Sequence, residues 1–254
     1  MNHLFRVAII SIVFLSLTTI ISQGPPNSAD GQTLCDNGEI RGSNQRLPVI
    51  LVHGYAEDSS IWSEWERLLE ADDIPFCTVS FHDSNDMCGS AARHARELEQ
   101  IVQQVKSITG QTDVNIVGHS KGGLDARVYL ANTGTSDVAN LIMIGTPNAG
   151  SILADFAFFD FFPDFCIPAL FDLTTGAPAM NAAQNANTNY FTIAGECFFI
   201  YTSGIIPGPD DGIVAVSTVE SLPYATPLGR TDNCHLALLG QEEYRLAQPI
   251  LVVE

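Results

Sequence analysis

Val114-Asn115-Ile116-Val117-Gly118-His119-Ser120-Lys121-Gly122-Gly123-Leu124 passes from an apolar run into a segment, Leu124 to Leu130, that reads as helix. A strand that turns sharply into a helix forces the turning residue into strained backbone geometry. Glycines two before and two after it remove the side chains that would collide. Ser120 is thereby expected to stand exposed above the sheet, and the Lys121 amide to lie at a helix N-terminus, where an unpaired N–H and the helix dipole favour negative charge. A single motif of this kind arises often by chance, so its partners decide the reading.

A serine hydroxyl is a poor nucleophile unless a histidine base lies within hydrogen-bond reach. Of the six histidines, His3 is near the N-terminus, His53 and His82 end apolar runs, and His94 sits in a polar helix-like stretch. His119 adjoins Ser120 and is expected to point away from it. That leaves His235, downstream in the loop-like Asp232-Asn233-Cys234-His235, as the expected base. The acid that orients it should lie between the two, and Pro209-Asp210-Asp211-Gly212-Ile213-Val214 offers two carboxylates after turn residues. The Asp-Gly-Ile-Val context favours Asp211 over Asp210. Upstream, Leu47 to Val52 is an apolar strand ending in His53-Gly54-Tyr55. Gly54 lets the backbone approach a reacting carbonyl, which makes the Tyr55 amide the second expected oxyanion donor beside that of Lys121.

These elements, in this order, resemble the α/β-hydrolase superfamily and, within it, the secreted bacterial-type triacylglycerol lipases. The resemblance is carried by Val52-His53-Gly54-Tyr55, Ile116 to Gly123, Ile144-Gly145-Thr146-Pro147-Asn148-Ala149-Gly150-Ser151, Tyr190 to Gly195, Asp211-Gly212-Ile213-Val214 and Cys234-His235-Leu236. It implies Ser120, Asp211 and His235 as a catalytic triad, with the Tyr55 and Lys121 amides as the oxyanion hole. Larger members place an aspartate shortly after the histidine, where it helps bind a structural calcium. Here Leu236-Ala237-Leu238-Leu239 follows, so no calcium site of that kind, and no other metal or cofactor, is expected.

Apolar strand-like runs alternate with helix-like ones: Val49 to Val52 then Ser59 to Ala71, Phe76 to Phe81 then Ala91 to Ile108, Val114 to Val117 then Gly122 to Ala131, Val138 to Ile144, and Phe191 to Ala194. The pattern predicts a mostly parallel central sheet with helices on both faces, an α/β class. Gln241 to Glu254 reads as a last helix that Pro249 cuts short. Residues 31–254 form one expected catalytic domain, with 148–189 as a short cap or flap insert. Phe156, Phe158, Phe159, Phe161, Phe162 and Phe165 crowd into this insert among Asp155, Asp160 and Asp164. An amphipathic flap could cover the serine in water and open at a lipid surface, although aromatic stripes also serve simply as core. Phe156, Phe159, Phe162 and Ile205 are the expected substrate-contacting residues.

Residues 1–30 contain an apolar run, Val7 to Ile21, behind Arg6 and before any acidic residue, followed by Pro25-Pro26-Asn27-Ser28. This reads as a signal peptide or N-terminal anchor plus linker, placing the protein in a secreted or membrane-anchored state on the extracytoplasmic side. Six cysteines, Cys35, Cys77, Cys88, Cys166, Cys197 and Cys234, suit an oxidising compartment. Their pairing is open: Cys77 and Cys88 could close a local loop, Cys234 could brace the histidine loop, and Cys77 could be a buried free thiol. A net charge of −18, with lysine only at Lys106 and Lys121, argues against nucleic-acid partners.

The expected function is hydrolysis of carboxylic esters of lipids, triacylglycerol lipase type, through an acyl-enzyme. Carboxylesterase, thioesterase, phospholipid deacylase and acyltransferase share the chemistry and the fold. An inactive cell-surface binding module would keep the fold without the reaction. A metallohydrolase would need ligand spacing that the chain lacks.

Overall fold

The computed structural model describes residues 34–42, 45–82, 84, 86–134, 137–160, 166–197, 202 and 204–253. Its strands are β1 (Val49–Val52), β2 (Phe76–Val79), β3 (Val114–His119), β4 (Val138–Ile144), β5 (Asn189–Gly195) and β6 (Ala225–Thr231). The α-helices between and after them are α1 (Ser63–Ala71), α2 (Ala91–Thr109), α3 (Lys121–Thr133), α4 (Ile152–Asp160), α5 (Ile167–Asp172), α6 (Val216–Val219) and α7 (Gln241–Leu251). The strands form one sheet in the order β2-β1-β3-β4-β5-β6, and every neighbouring pair is parallel.

Parallel strands need crossover segments, which cover both faces of the sheet, so central strands read as continuous apolar runs. β1 and β3 are buried at every position. Alternation along β1 sorts its side chains: Ile50 and Val52 join Leu98, Ile101 and Val105 of α2 and Ala126 and Leu130 of α3 in one core. Val49 and Leu51 join Trp65 and Leu69 of α1 and Tyr244 and Leu251 of α7 in the other. Each fully buried side chain of this size contributes about 2 kcal/mol of transfer free energy, so the two cores hold the sheet whose C-terminal edge carries the site.

The structure departs from the sequence reading at two elements. β6, Ala-Thr-Pro-Leu-Gly-Arg-Thr, lacks an apolar run, is largely exposed and contains Pro227, which an edge strand tolerates because one side of its backbone faces no partner. α7 is not cut at Pro249 but continues to Leu251, because the lost donor falls in the last turn and Tyr244, Ala247 and Leu251 hold that face in the core. Among the described residues no helix is long and apolar enough to cross a membrane, and residues 1–30 lie outside them.

Three disulfides join Cys35 to Cys77, Cys88 to Cys166 and Cys197 to Cys234. The expected Cys77–Cys88 loop is therefore corrected, and Cys77 is not a free thiol. The segment around Cys35 runs beside β2, with the Asp36 amide donating to the Thr78 carbonyl at 2.8 Å, and this brings Cys35 rather than Cys88 against Cys77.

The insert at 148–189 holds α4, α5 and a 3-10 turn at Pro178–Asn181. Ala154, Leu170 and Leu173 of this insert pack with Leu124 of α3, and Tyr55 and Met180 close against them. The Cys88–Cys166 bond fastens the start of α5 to the loop preceding α2. The insert thus sits over the first turn of α3 and the loop after β1.

Candidate active site

Ser120 joins β3 to α3 with φ 51° and ψ −122°, a conformation that L-residues rarely adopt. Its amide donates to the Ile144 carbonyl at 2.8 Å, which anchors the turn to β4. The flanking glycines are sterically required. A Cβ on Gly118 would lie 2.5 Å from the Gly123 nitrogen, and one on Gly122 would run into the Val52 and His53 carbonyl oxygens.

The Ser120 hydroxyl lies 2.9 Å from His235 Nε2, and His235 Nδ1 lies 2.7 Å from Asp211 Oδ2. The structure brings these three predicted residues into one hydrogen-bonded line. Asp211 Oδ1 accepts from the amides of Ile213 at 2.9 Å and Val214 at 2.7 Å, while the His235 amide donates to the Asp211 carbonyl at 2.8 Å. Four hydrogen bonds therefore fix the carboxylate against the imidazole. Asp210 turns elsewhere, its Oδ1 accepting from the Gly212 amide, and burial raises its carboxyl above the ordinary range.

The loop after β1 passes directly against Ser120. A Cβ on Gly54 would lie 2.8 Å from Ser120 Cβ and 3.2 Å from the His119 carbonyl, so only glycine lets the Gly54–Tyr55 peptide come this close. Lys121 begins α3, where the first-turn amides have no partner within the helix. Its side chain turns inward instead: Nζ donates to Asp125 Oδ1 at 2.6 Å, and His94 Nδ1 lies 2.8 Å from Asp125 Oδ2. Burial would raise the Asp125 carboxyl, but the Lys121 and His94 charges outweigh it and hold it below the usual range. The buried cluster anchors the end of α3 that presents the Lys121 amide.

Of the expected substrate-contacting residues, Phe156 on α4 is 45% exposed and Ile205 is half-buried. Phe162, with Phe161 and Phe165, lies outside the described residues, as do the side chains of Phe158 and Phe159. Among the described residues no cluster of three or more His, Cys, Asp or Glu could hold a metal ion.

Several site groups escaped sequence reasoning. His53 Nε2 lies 2.7 Å from Asp86 Oδ1 and its Nδ1 3.0 Å from the Gly54 carbonyl. His119, expected to point away from Ser120 and given no role, packs its ring 4.9 Å from that of His235, centroid to centroid. Glu57 lies beside His119 and Gly54. Only the i,i+4 spacing of Lys121 and Asp125 carried a signal. His53–Asp86, His119–Glu57 and His119–His235 are long-range pairs that no local pattern reveals.

Cys197 ties two site loops together, since its amide donates to the Asp210 carbonyl at 2.8 Å and its sulfur bonds Cys234, the neighbour of His235. This matches the expectation that Cys234 braces the histidine loop. Replacing both cysteines by serine removes a cross-link between positions 37 apart and is expected to cost about 2–4 kcal/mol, read as a lower urea midpoint.

A family model described as the alpha/beta hydrolase fold matches residues 48–190. A triacylglycerol lipase of Pseudarthrobacter phenanthrenivorans is 36% identical over 117 residues, which cover 44% of this chain and 36% of that protein. A triacylglycerol lipase of Burkholderia plantarii is also 36% identical over 117 residues, covering 44% of this chain and 32% of that protein. The match thus spans about a third of the length of these curated relatives. Among solved structures, mature Bacillus licheniformis lipase BlEst2 is similar at a TM-score of 0.69 and 24% identity, covering 82% of this chain and 93% of that one. A metagenomic carboxyl esterase is similar at a TM-score of 0.58 and 16% identity, covering 85% of this chain and 70% of that one. At these identities the structural likeness is one of fold.

Proposed function

The chain belongs to the alpha/beta hydrolase fold family, and on that premise we propose that it is a serine ester hydrolase of triacylglycerol lipase type. The observation that carries the reading is the unbroken line Ser120–His235–Asp211, with hydrogen bonds of 2.9 and 2.7 Å, at the end of a parallel sheet. Ser120 Oγ attacks the acyl carbonyl while His235 Nε2 takes its proton. Asp211 keeps the proton of His235 on Nδ1 and stabilises the imidazolium that forms. The Tyr55 and Lys121 amides stabilise the oxyanion, each such donor being worth about 3 kcal/mol in comparable sites. His235 returns the proton to the departing alcohol, and water, activated by the same histidine, releases the acid.

A lipid substrate is supported by exposed apolar groups on and beside the insert. Phe156 is 45%, Phe171 41% and Met87 37% exposed, an apolar presentation suited to an acyl-chain surface. The curated relatives named triacylglycerol lipase support the same reading. The three disulfides support an extracytoplasmic site of action, and the net charge of −18 supports an uncharged ester rather than nucleic acid as substrate.

Tributyrin hydrolysis measured across its solubility limit tests the substrate class. A lipase of this type is expected to show a rate jump as droplets form. Saturation below the limit, with no jump, would reassign the chain to soluble esters.

A further inference from the structure

His119 occupies the last position of β3, one residue before the nucleophile, and the proposed mechanism gives it no task. Its Nδ1 lies 2.8 Å from Glu57 Oε2 and its Nε2 3.1 Å from the His235 carbonyl oxygen. Glu57 is held ionised beside His119, and an ionised carboxylate and a carbonyl only accept, so a ring that serves both carries a proton on each nitrogen. His119 is therefore an imidazolium paired with an ionised Glu57. The same Glu57 oxygen accepts from the Gly54 amide at 2.8 Å, and Gly54 begins the peptide that bears the Tyr55 N–H. One ion pair, with side chains 1% and 14% exposed, thus grips the oxyanion loop at one end and the backbone of the base at the other.

We infer that Glu57 and His119 are positioning residues, a carboxylate–imidazolium pair that sets the oxyanion loop through the Gly54 amide and the base through the His235 carbonyl. This rests on the reading of Ser120, His235 and Asp211 as the reacting groups. The protonation states agree with the geometry. Burial alone would raise Glu57, yet the His119 charge and hydrogen bond bring it down to about 2. Burial alone would lower His119, yet Glu57 and the His235 carbonyl raise it above the usual imidazole value. The titratable groups that face the pair are His235 and Asp211 on one side and His53, itself paired with Asp86, on the other.

Loss of each member leaves a different electrostatic signature at His235. Without His119, Glu57 remains as an uncompensated negative charge that favours the His235 imidazolium. Without the Glu57 carboxylate, His119 sheds a proton and turns a lone pair toward one of its acceptors, which loosens the base with no gain of negative charge.

The experiment combines pH profiles of kcat/KM on p-nitrophenyl butyrate for the wild type, Glu57→Gln and His119→Gln with nitrogen-15 spectra of labelled histidine in the wild type. His119 is expected to be protonated on both nitrogens at pH 7. Glu57→Gln is expected to lower kcat by about tenfold to a hundredfold with KM within about twofold, the usual scale for a misplaced reacting group. His119→Gln is expected to move the acid limb up by about half a pH unit or more, which a merely structural role would not do. A bare ring nitrogen on His119 at pH 7 would overturn the inference even if a variant failed to fold. So would wild-type kcat in both variants with an unmoved limb. A wild type that a fluorophosphonate does not label at Ser120 would remove the hydrolytic reading and the positioning role with it, while the nitrogen spectrum would still report the ion pair.

Discussion

Ser120→Ala is expected to lower hydrolysis of p-nitrophenyl butyrate by about 10⁴- to 10⁶-fold, the range that removal of a triad nucleophile produces elsewhere. The loss follows from geometry rather than from unfolding. Ser120 at φ 51° is held by the Ile144 carbonyl and by glycines at 118 and 122, none of which depends on its hydroxyl. Alanine retains the Cβ that already fits beside Gly54, so the melting temperature is expected to stay within a few degrees of the wild type. What disappears is the atom that lies 2.9 Å from His235 Nε2. The residual rate is expected to report what the proposed oxyanion donors, the Tyr55 and Lys121 amides, supply alone.

Asp211→Asn is expected to cost about 10⁴-fold in kcat, as the same change does in other Ser-His-Asp sites, and the structure gives the reason here. Asp211 Oδ1 accepts two backbone amides, from Ile213 and Val214. An asparagine at 211 must turn its oxygen toward those donors, which leaves its NH₂ facing His235 Nδ1. Nδ1 is then forced to accept and Nε2 to carry the proton, so the imidazole cannot take a proton from Ser120. Asp210→Asn serves as the control, because that carboxylate bonds the Gly212 amide and not the histidine. Its activity is expected within about threefold of wild type, since a half-exposed side chain away from the site seldom matters more. Equal losses in both variants would contradict the assignment of the acid.

Much of the architecture was legible because local rules dictate it. β1 and β3 are buried at every position, β1 reads as an unbroken apolar run and β3 as one interrupted by Asn115, and the glycines around Ser120 are demanded by the turn itself. The order serine, acid, histidine drew attention to Asp211 and His235, although 115 residues separate His235 from Ser120. β6 was missed because an edge strand with Pro227 carries no hydrophobic signature. Cysteine pairing was not legible, since only the path of the chain beside β2 brings Cys35 to Cys77. Glu57, Asp86 and His119 were missed for a related reason. Asp86 acts through His53, Glu57 through His119, and His119 through both Glu57 and His235, and neither periodicity nor a motif encodes such long-range contacts.

The stability of the site as a unit follows from these cross-links. The loops of Asp211 and His235 are joined by the His235 amide, by the Cys197–Cys234 bond and by the Cys197 amide on Asp210. The loop of Tyr55 is joined to the His235 backbone through Glu57 and His119. Preorganisation of this kind matters because the oxyanion donors act only if they are in place before the charge develops.

The central claim is that Ser120 is the activated nucleophile, and the most direct measurement is mass-spectrometric mapping after reaction with a fluorophosphonate. A single adduct on the peptide containing Ser120, abolished in Ser120→Ala and strongly slowed in Asp211→Asn, is the predicted result. A folded wild-type protein that takes up no label, or takes it up at another residue, would contradict the account.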